Sequence, residues 1–144
     1  MEEYMTHSRA ETVALGRALA ARVRPGTLLA FTGGLGAGKT AFCQGLAEGL
    51  GCTDPASSPT FAIVNYYRGP RPLAHFDLYR IHTETDLSAA GFYDYLDSGA
   101  VVAVEWSENC ADLLALESPV TIDITCPEGS ETTRRITIEG LGAR

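Results

Sequence analysis

The chain has 144 residues, 45% of them hydrophobic, and a formal net charge of −7. That length suits one domain, 1–144, with a core of ordinary size, and no apolar run is long enough to span a membrane. The acidic balance argues against a protein that grips DNA or RNA by itself, because such proteins present a basic face, and here the arginines are scattered, with Arg134-Arg135 the one adjacent pair.

The opening Met1-Glu2-Glu3-Tyr4 lacks the basic-then-apolar order of a signal peptide, so a cytoplasmic location is expected. Ser8-Arg9-Ala10-Glu11 has the S-x-x-E pattern of a capping box. It predicts a helix from about Arg9 to Arg24, with Leu15, Leu19 and Val23 as the apolar stripe and Pro25-Gly26 as the stop. The expected role of this helix is packing on a sheet; the other reading places its first residues beside a nucleotide base.

Leu28-Leu29-Ala30-Phe31 reads as a buried strand, and Thr40 to Leu50 as a helix with Phe42, Leu46 and Leu50 on one face. Between them, Gly33 to Thr40 fits G-x-x-x-x-G-K-[ST], the phosphate-binding P-loop, in the strand–loop–helix context the motif requires. Such a loop wraps phosphate oxygens with backbone N–H groups. Glycine allows the close approach and the positive-φ turns, and the helix start directs unpaired N–H groups at the anion. Gly34, Leu35, Gly36, Ala37, Gly38, Lys39 and Thr40 are therefore the candidate phosphate cradle. Lys39 is expected to reach the β and γ phosphates of a nucleotide, and the Thr40 hydroxyl to bind Mg²⁺. Lys39 is also the only lysine in the chain, as if a compact ammonium were kept for that one task.

Ser57-Ser58-Pro59-Thr60 follows the Gly- and Pro-broken end of this helix. It reads equally as a loop that senses γ-phosphate and Mg²⁺ and as a plain turn. Phe61 to Tyr67 and Leu73 to Tyr79, joined by Arg68-Gly69-Pro70-Arg71-Pro72, predict an antiparallel hairpin, and with it a mixed sheet. Period-2 alternation puts His75, Asp77 and Tyr79 on one face, either as a functional row or as a solvated edge. Thr83 to Ala90 and Gly91 to Leu96 predict two short helices, the aromatic residues of which suit packing better than a partner surface.

Val101-Val102-Ala103-Val104-Glu105 is a continuous apolar run closed by an acid. It predicts a central strand buried on both faces, with Glu105 at the C-terminal edge where open α/β sheets bind ligands. This is the Walker B arrangement, and the cost of burying an unpaired carboxylate makes a Mg²⁺ ion at Glu105 a physical expectation. Asn109 to Glu117 predicts a helix, and Val120 to Thr125 with Arg134 to Ile138 a last hairpin. Cys43, Cys52, Cys110 and Cys126 show no C-x-x-C or zinc spacing and read as buried reduced thiols. The expected fold is α/β, a P-loop NTPase-like three-layer fold with a mixed, partly antiparallel central sheet.

Taken together, Gly-Leu-Gly-Ala-Gly-Lys-Thr, Ser58-Pro59-Thr60-Phe61, His75-Phe76-Asp77-Leu78-Tyr79-Arg80 and Val104-Glu105-Trp106-Ser107-Glu108 resemble the TsaE family, in order and spacing, over roughly Ser8 to Ile138. The resemblance implies a small P-loop ATPase of the bacterial pathway to threonylcarbamoyladenosine, next to the anticodon of tRNA. It implies action with the TsaB and TsaD proteins, which would hold the tRNA, so that this chain meets tRNA only indirectly and is not itself the transferase. Carried over by position, it implies Gly34 through Thr40 around the phosphates, Thr40 and Glu105 on Mg²⁺, Asp77 orienting or deprotonating water as a catalytic residue beside Lys39, and Thr60 in a switch-like loop. The roles of Asp77 and Glu105 are interchangeable on sequence alone. Two positions depart from the family pattern: Gly34, where an acid or Asn is usual, and Asp94, where a Glu is common.

No arginine stands as an obvious finger, so slow hydrolysis by the chain alone is expected, with activation by the partners. The alternative is a binding switch in which ATP occupancy, not hydrolysis, controls the partner complex. A small-molecule kinase would need an arginine-rich lid, which the chain lacks.

Overall fold

Seven strands form one mixed sheet with helices on both faces, in a computed structural model that describes residues 1–33, 38–53, 64–127 and 131–141. In chain order the elements are β1 (Glu2–Thr6), α1 (Arg9–Ala20), β2 (Leu28–Thr32), α2 (Lys39–Gly49), β3 (Val64–Tyr67), β4 (Leu73–Asp77), α3 (Glu84–Ala89), α4 (Phe92–Asp97), β5 (Val101–Glu105), α5 (Ala111–Ala115), β6 (Val120–Thr125) and β7 (Arg134–Glu139). The strand order is β1-β7-β6-β2-β5-β4-β3. The four middle strands, β6, β2, β5 and β4, run parallel. Antiparallel partners are added at both ends: β7 and then β1 beyond β6, and β3 beyond β4.

Alternation along the middle strands sorts the core into two layers. Leu29, Phe31, Val101, Ala103, Ile122 and Ile124 pack with α1 and α2. Ala74, Phe76, Val102 and Val104 pack on the other side with Leu87, Phe92 and Leu114 of α3, α4 and α5. The aromatic residues of α4 serve this packing: Phe92 meets Phe76 edge-on at 5.7 Å, and Tyr95 stacks on Tyr66 at 5.4 Å.

Helix α1 begins where the capping box predicts, with the Ser8 side chain accepting from the Glu11 amide. It ends at Ala20, short of Arg24, and the Arg71 guanidinium donates to the carbonyls of Ala20 and Val23. That side chain satisfies acceptors the helix end leaves open. The predicted stripe packs as expected, with Leu19 and Val23 in the core and Leu15 partly buried against it. The buried face also takes in Thr12, Gly16 and Ala20. That wider face follows from α2, whose Gly45 and Gly49 face α1 and let the two backbones approach closely. A Cβ on Gly16 would lie 2.2 Å from the Phe42 carbonyl oxygen, and one on Gly45 1.9 Å from that of Val13. Gly49, the last residue of α2, therefore belongs to the helix interface as well.

The first residues form an edge strand, β1, paired with β7, an element the sequence does not predict, since five residues with no clean alternation carry little strand signal. Two further expectations are corrected. The segment after β5 starts with a 3₁₀ turn over Ser107–Cys110 before α5. None of the four cysteines is in a disulfide; Cys43 and Cys110 are buried, but Cys52 is only partly covered and Cys126 is exposed just past β6. Among the described residues no helix is long and apolar enough to cross a membrane.

Strand β1 is tied down by Glu2, whose carboxylate accepts two 2.7 Å bonds from the Arg22 guanidinium. Those bonds, with one from the Tyr4 hydroxyl, hold the Glu2 carboxyl at about 2, below its ordinary 4.5. A depressed carboxyl stabilises the fold above its unfolded value and loses that contribution as pH falls through the folded one. Protection factors of the β1 amides, corrected for intrinsic exchange, are therefore expected to fall between about pH 4.5 and 2. The Arg22→Ala variant should show low protection throughout and no such step. The pair is solvent-exposed, so the effect is local and small.

Candidate active site

The C-terminal ends of β2, β5 and β4 lie side by side, and each delivers part of one site. β2 runs into Gly33, which has φ +123° and whose backbone lies against β6: an added Cβ would sit 2.0 Å from the Ile124 carbonyl oxygen. Only glycine fits there, which explains the first glycine of the motif. Gly38, left-handed at φ 97°, caps α2, and Lys39 and Thr40 form that helix's first turn. Lys39 is buried, at 6% exposure. Its Nζ donates to the Gly33 carbonyl at 3.1 Å and lies 5.7 Å from the centroid of the Trp106 ring.

Asp77 and Glu105 close β4 and β5 and are direct register partners in the parallel ladder. The sheet thus brings the two candidate carboxylates together, on the face that also carries His75 and Ala103. Asp77 is half-buried, and its Oδ1 accepts the Tyr79 amide at 2.9 Å, which orients the carboxylate. Glu105 is 8% exposed, and its Oε2 lies 2.7 Å from Nε2 of His75. The contact is off the ring N–H axis, so Oε2 keeps no aligned hydrogen bond. Burial by itself pushes the Glu105 carboxyl up, but the His75 contact, the His75 charge and the Lys39 charge outweigh it and hold the group below its ordinary value.

His75 departs most from the sequence expectation. β4 is flanked by β3 and β5, and His75 is 1% exposed and Asp77 half-buried, so these two are no solvated edge, whereas Tyr79 lies past the strand and is 58% exposed. Burial disfavours its charged form; Cys43, with Sγ 3.9 Å from Nε2, and Glu105 oppose that and raise it well above its ordinary value. A carboxylate at 2.7 Å is the stronger cause, since a sulfur is a weak acceptor. The pairing also changes the argument for a cation: His75 already compensates the buried Glu105 charge, so burial alone does not demand a metal.

The turn after β5 shapes the rim. Trp106 adopts a left-handed conformation at φ 59°, and the buried Ser107 hydroxyl donates to the Phe31 carbonyl at 2.8 Å, tying this turn to β2. Asn109 Nδ2 donates to the Leu78 and Tyr79 carbonyls at 2.7 and 3.1 Å. Tyr79, Arg80, His82, Trp106 and Asn109 line a depression beside the carboxylates. Ser107 and Asn109 were not legible as site residues, because their partners are backbone carbonyls remote in sequence. His75 had a signal, its place on the same strand face as Asp77. A second hollow, of about 260 Å³, lies where Ser8, Arg9 and Thr12 at the start of α1 meet Gly38 and Arg134. Of the other predicted residues, Gly34, Leu35, Gly36, Ala37 and Thr60 lie outside the described residues.

A family model for threonylcarbamoyl adenosine biosynthesis protein TsaE matches residues 6–136. A tRNA threonylcarbamoyladenosine biosynthesis protein TsaE of Bacillus subtilis is 36% identical over 143 residues, covering 99% of this chain and 87% of that protein. Its counterpart in Streptomyces coelicolor is 38% identical over 135 residues, covering 90% of each. The fold resembles the crystal structure of Bacillus subtilis YdiB with a TM-score of 0.79, at 33% identity over 99% of this chain and 87% of that one.

Proposed function

The chain belongs to the TsaE family, and from that premise we propose that it binds and hydrolyses ATP with Mg²⁺ in support of the threonylcarbamoyladenosine modification of tRNA. The observation that carries this reading is the convergence at one sheet edge: Lys39 in the first turn of α2 beside Glu105 and Asp77 at the ends of adjacent parallel strands.

The residues fit a magnesium nucleotide. Glu105 Oε2 is a buried carboxylate oxygen without an aligned hydrogen bond, next to the α2 turn that bears the Thr40 hydroxyl. Among the described residues no three His, Cys, Asp or Glu side chains cluster as a metal cage. A cation here would draw its other ligands from phosphate and water, the habit of Mg²⁺. Thr40 and Glu105 would hold the ion, whose charge offsets that gathering on the phosphate oxygens.

Gly34 through Thr40 would cradle the phosphates with backbone N–H groups. Lys39 would exchange the Gly33 carbonyl for phosphate oxygens. Asp77, its carboxylate oriented by the Tyr79 amide, would orient the attacking water or take its proton, in line with the leaving group. We assign the metal to Glu105 and the water to Asp77 because Glu105 is the more deeply buried and feels the Lys39 charge. Thr60 would sense the γ-phosphate. TsaB and TsaD are the partners, and they, not this acidic chain, hold the tRNA.

The test is phosphate release from ATP with Mg²⁺ by the chain alone and with TsaB and TsaD. Slow release alone, raised by the partners, is the expected result. Tight ATP binding with no hydrolysis in either setting would replace this reading with an occupancy switch and remove Asp77 from catalysis.

A further inference from the structure

The His75–Glu105 pair is an expensive arrangement for a core. His75 lies deep between sheet and helix, and a buried ion pair is often no more stabilising than well-packed apolar residues of the same volume. One ring nitrogen is also left without a partner among the described residues: Nδ1 is buried and makes no hydrogen bond with them. In either protonation state that is a desolvated polar group with nothing in return. A leucine on this strand would fill the same layer without an unbonded ring nitrogen, as Leu73 does two residues earlier, but it would leave the buried Glu105 carboxylate uncompensated.

The position of the ring suggests what the cost secures. Nε2 is 2.7 Å from Glu105 Oε2 on β5 and 3.9 Å from Cys43 Sγ on α2, and His75 shares its strand and face with Asp77. Cys43 lies one helical turn beyond Lys39 and Thr40. One imidazole thus touches Glu105, shares its strand with Asp77, and through Cys43 meets the helix that carries Lys39 and Thr40. Of these groups only the Glu105 carboxylate is in direct contact with the ring, and among the described residues its Oε2 has no aligned hydrogen bond to hold it otherwise.

We propose that His75 is a positioning residue, holding the Glu105 carboxylate from beneath so that it meets the metal of the nucleotide complex already oriented. This rests on the reading of Glu105 as a metal ligand. Partners that orient a ligating carboxylate contribute about 10- to 100-fold to metal affinity.

The experiment measures Mn²⁺ affinity by electron paramagnetic resonance in the presence of saturating ATP, together with ATP affinity without metal. The proteins are the wild type, His75→Leu, His75→Gln, Glu105→Gln and the His75→Leu/Glu105→Gln double variant. His75→Leu is expected to weaken Mn²⁺ binding about 10- to 100-fold and to leave metal-free ATP affinity unchanged. His75→Gln, which keeps a donor near Nε2, should recover most of the loss. The double variant should bind no more weakly than Glu105→Gln.

If the wild type shows no ATP-dependent Mn²⁺ binding, or Glu105→Gln leaves it unchanged, the metal reading itself fails. If both hold but His75→Leu binds as the wild type does, or more tightly, His75 does not position the ligand. A measurement free of substitution covers a His75→Leu chain that does not fold. Adding Mg²⁺ to the ATP-loaded wild type should shift the His75 ring signals in the nuclear magnetic resonance spectrum, and unmoved signals overturn the proposal.

Discussion

Alanine at position 39 is expected to abolish ATP hydrolysis while the fold survives. The Lys39 ammonium is the one basic group within the first turn of α2, beneath the left-handed Gly38 and beside the Glu105 carboxylate. In the proposed reaction it stabilises charge on the transferred phosphoryl group inside a site sheltered from water. One preorganised donor in such a place contributes about 100- to 1,000-fold to the rate, and a full charge contributes no less. Phosphate release by Lys39→Ala, with and without TsaB and TsaD, should therefore fall at least about 100-fold. Stability should hardly change. Among the described residues Lys39 makes one hydrogen bond, to the Gly33 carbonyl; its loss costs about 1 kcal/mol, partly offset by no longer burying an ammonium. A variant that melts like the wild type and still releases phosphate at the wild-type rate would refute the role of Lys39.

The largest expected effect on stability comes from the α1–α2 seam, well away from the carboxylates. Gly45→Ala would ordinarily favour a helix by about 1 kcal/mol. Here the new methyl group would sit 1.9 Å from the Val13 carbonyl oxygen and 2.9 Å from the Arg17 amide nitrogen, both backbone atoms. No rotamer change relieves a Cβ, so α1 must move off α2, opening the layer that holds Leu19, Phe42 and Leu46. The net cost is expected to be about 3 kcal/mol, which lowers the melting temperature by roughly 10 °C in a domain of this size. Glu48→Ala on the same helix is the control. Its pair with Arg17 is solvent-exposed at 3.3 Å and contributes about 0.5 kcal/mol. Thermal unfolding followed by circular dichroism separates the two; equal melting temperatures would mean that the helices do not approach as closely as described. Because α2 carries Lys39 and Thr40, a shifted seam should also weaken nucleotide binding.

Local pattern by itself determined a good deal. The apolar run before Gly33 and the helical pattern after Gly38 located β2 and α2, because each periodicity is a property of a single element. The unbroken apolar stretch closed by Glu105 identified a strand covered on both faces, since only burial on both sides removes the usual alternation. The Ser8 cap and the β3–β4 hairpin rest on equally local rules. The contacts across the sheet were decided by the tertiary structure. Register between β4 and β5 sets Asp77 against Glu105 and brings His75 to the same carboxylate, and no spacing within either strand encodes that pairing. How closely α1 approaches α2 beyond its apolar stripe was settled by glycines on another helix. β1 is a strand because β7 offers it an edge, not because its five residues prefer one. Signals that arise within a turn or a single strand can be read along the chain, whereas a residue whose partner lies on a separate element takes its role from how the elements are stacked.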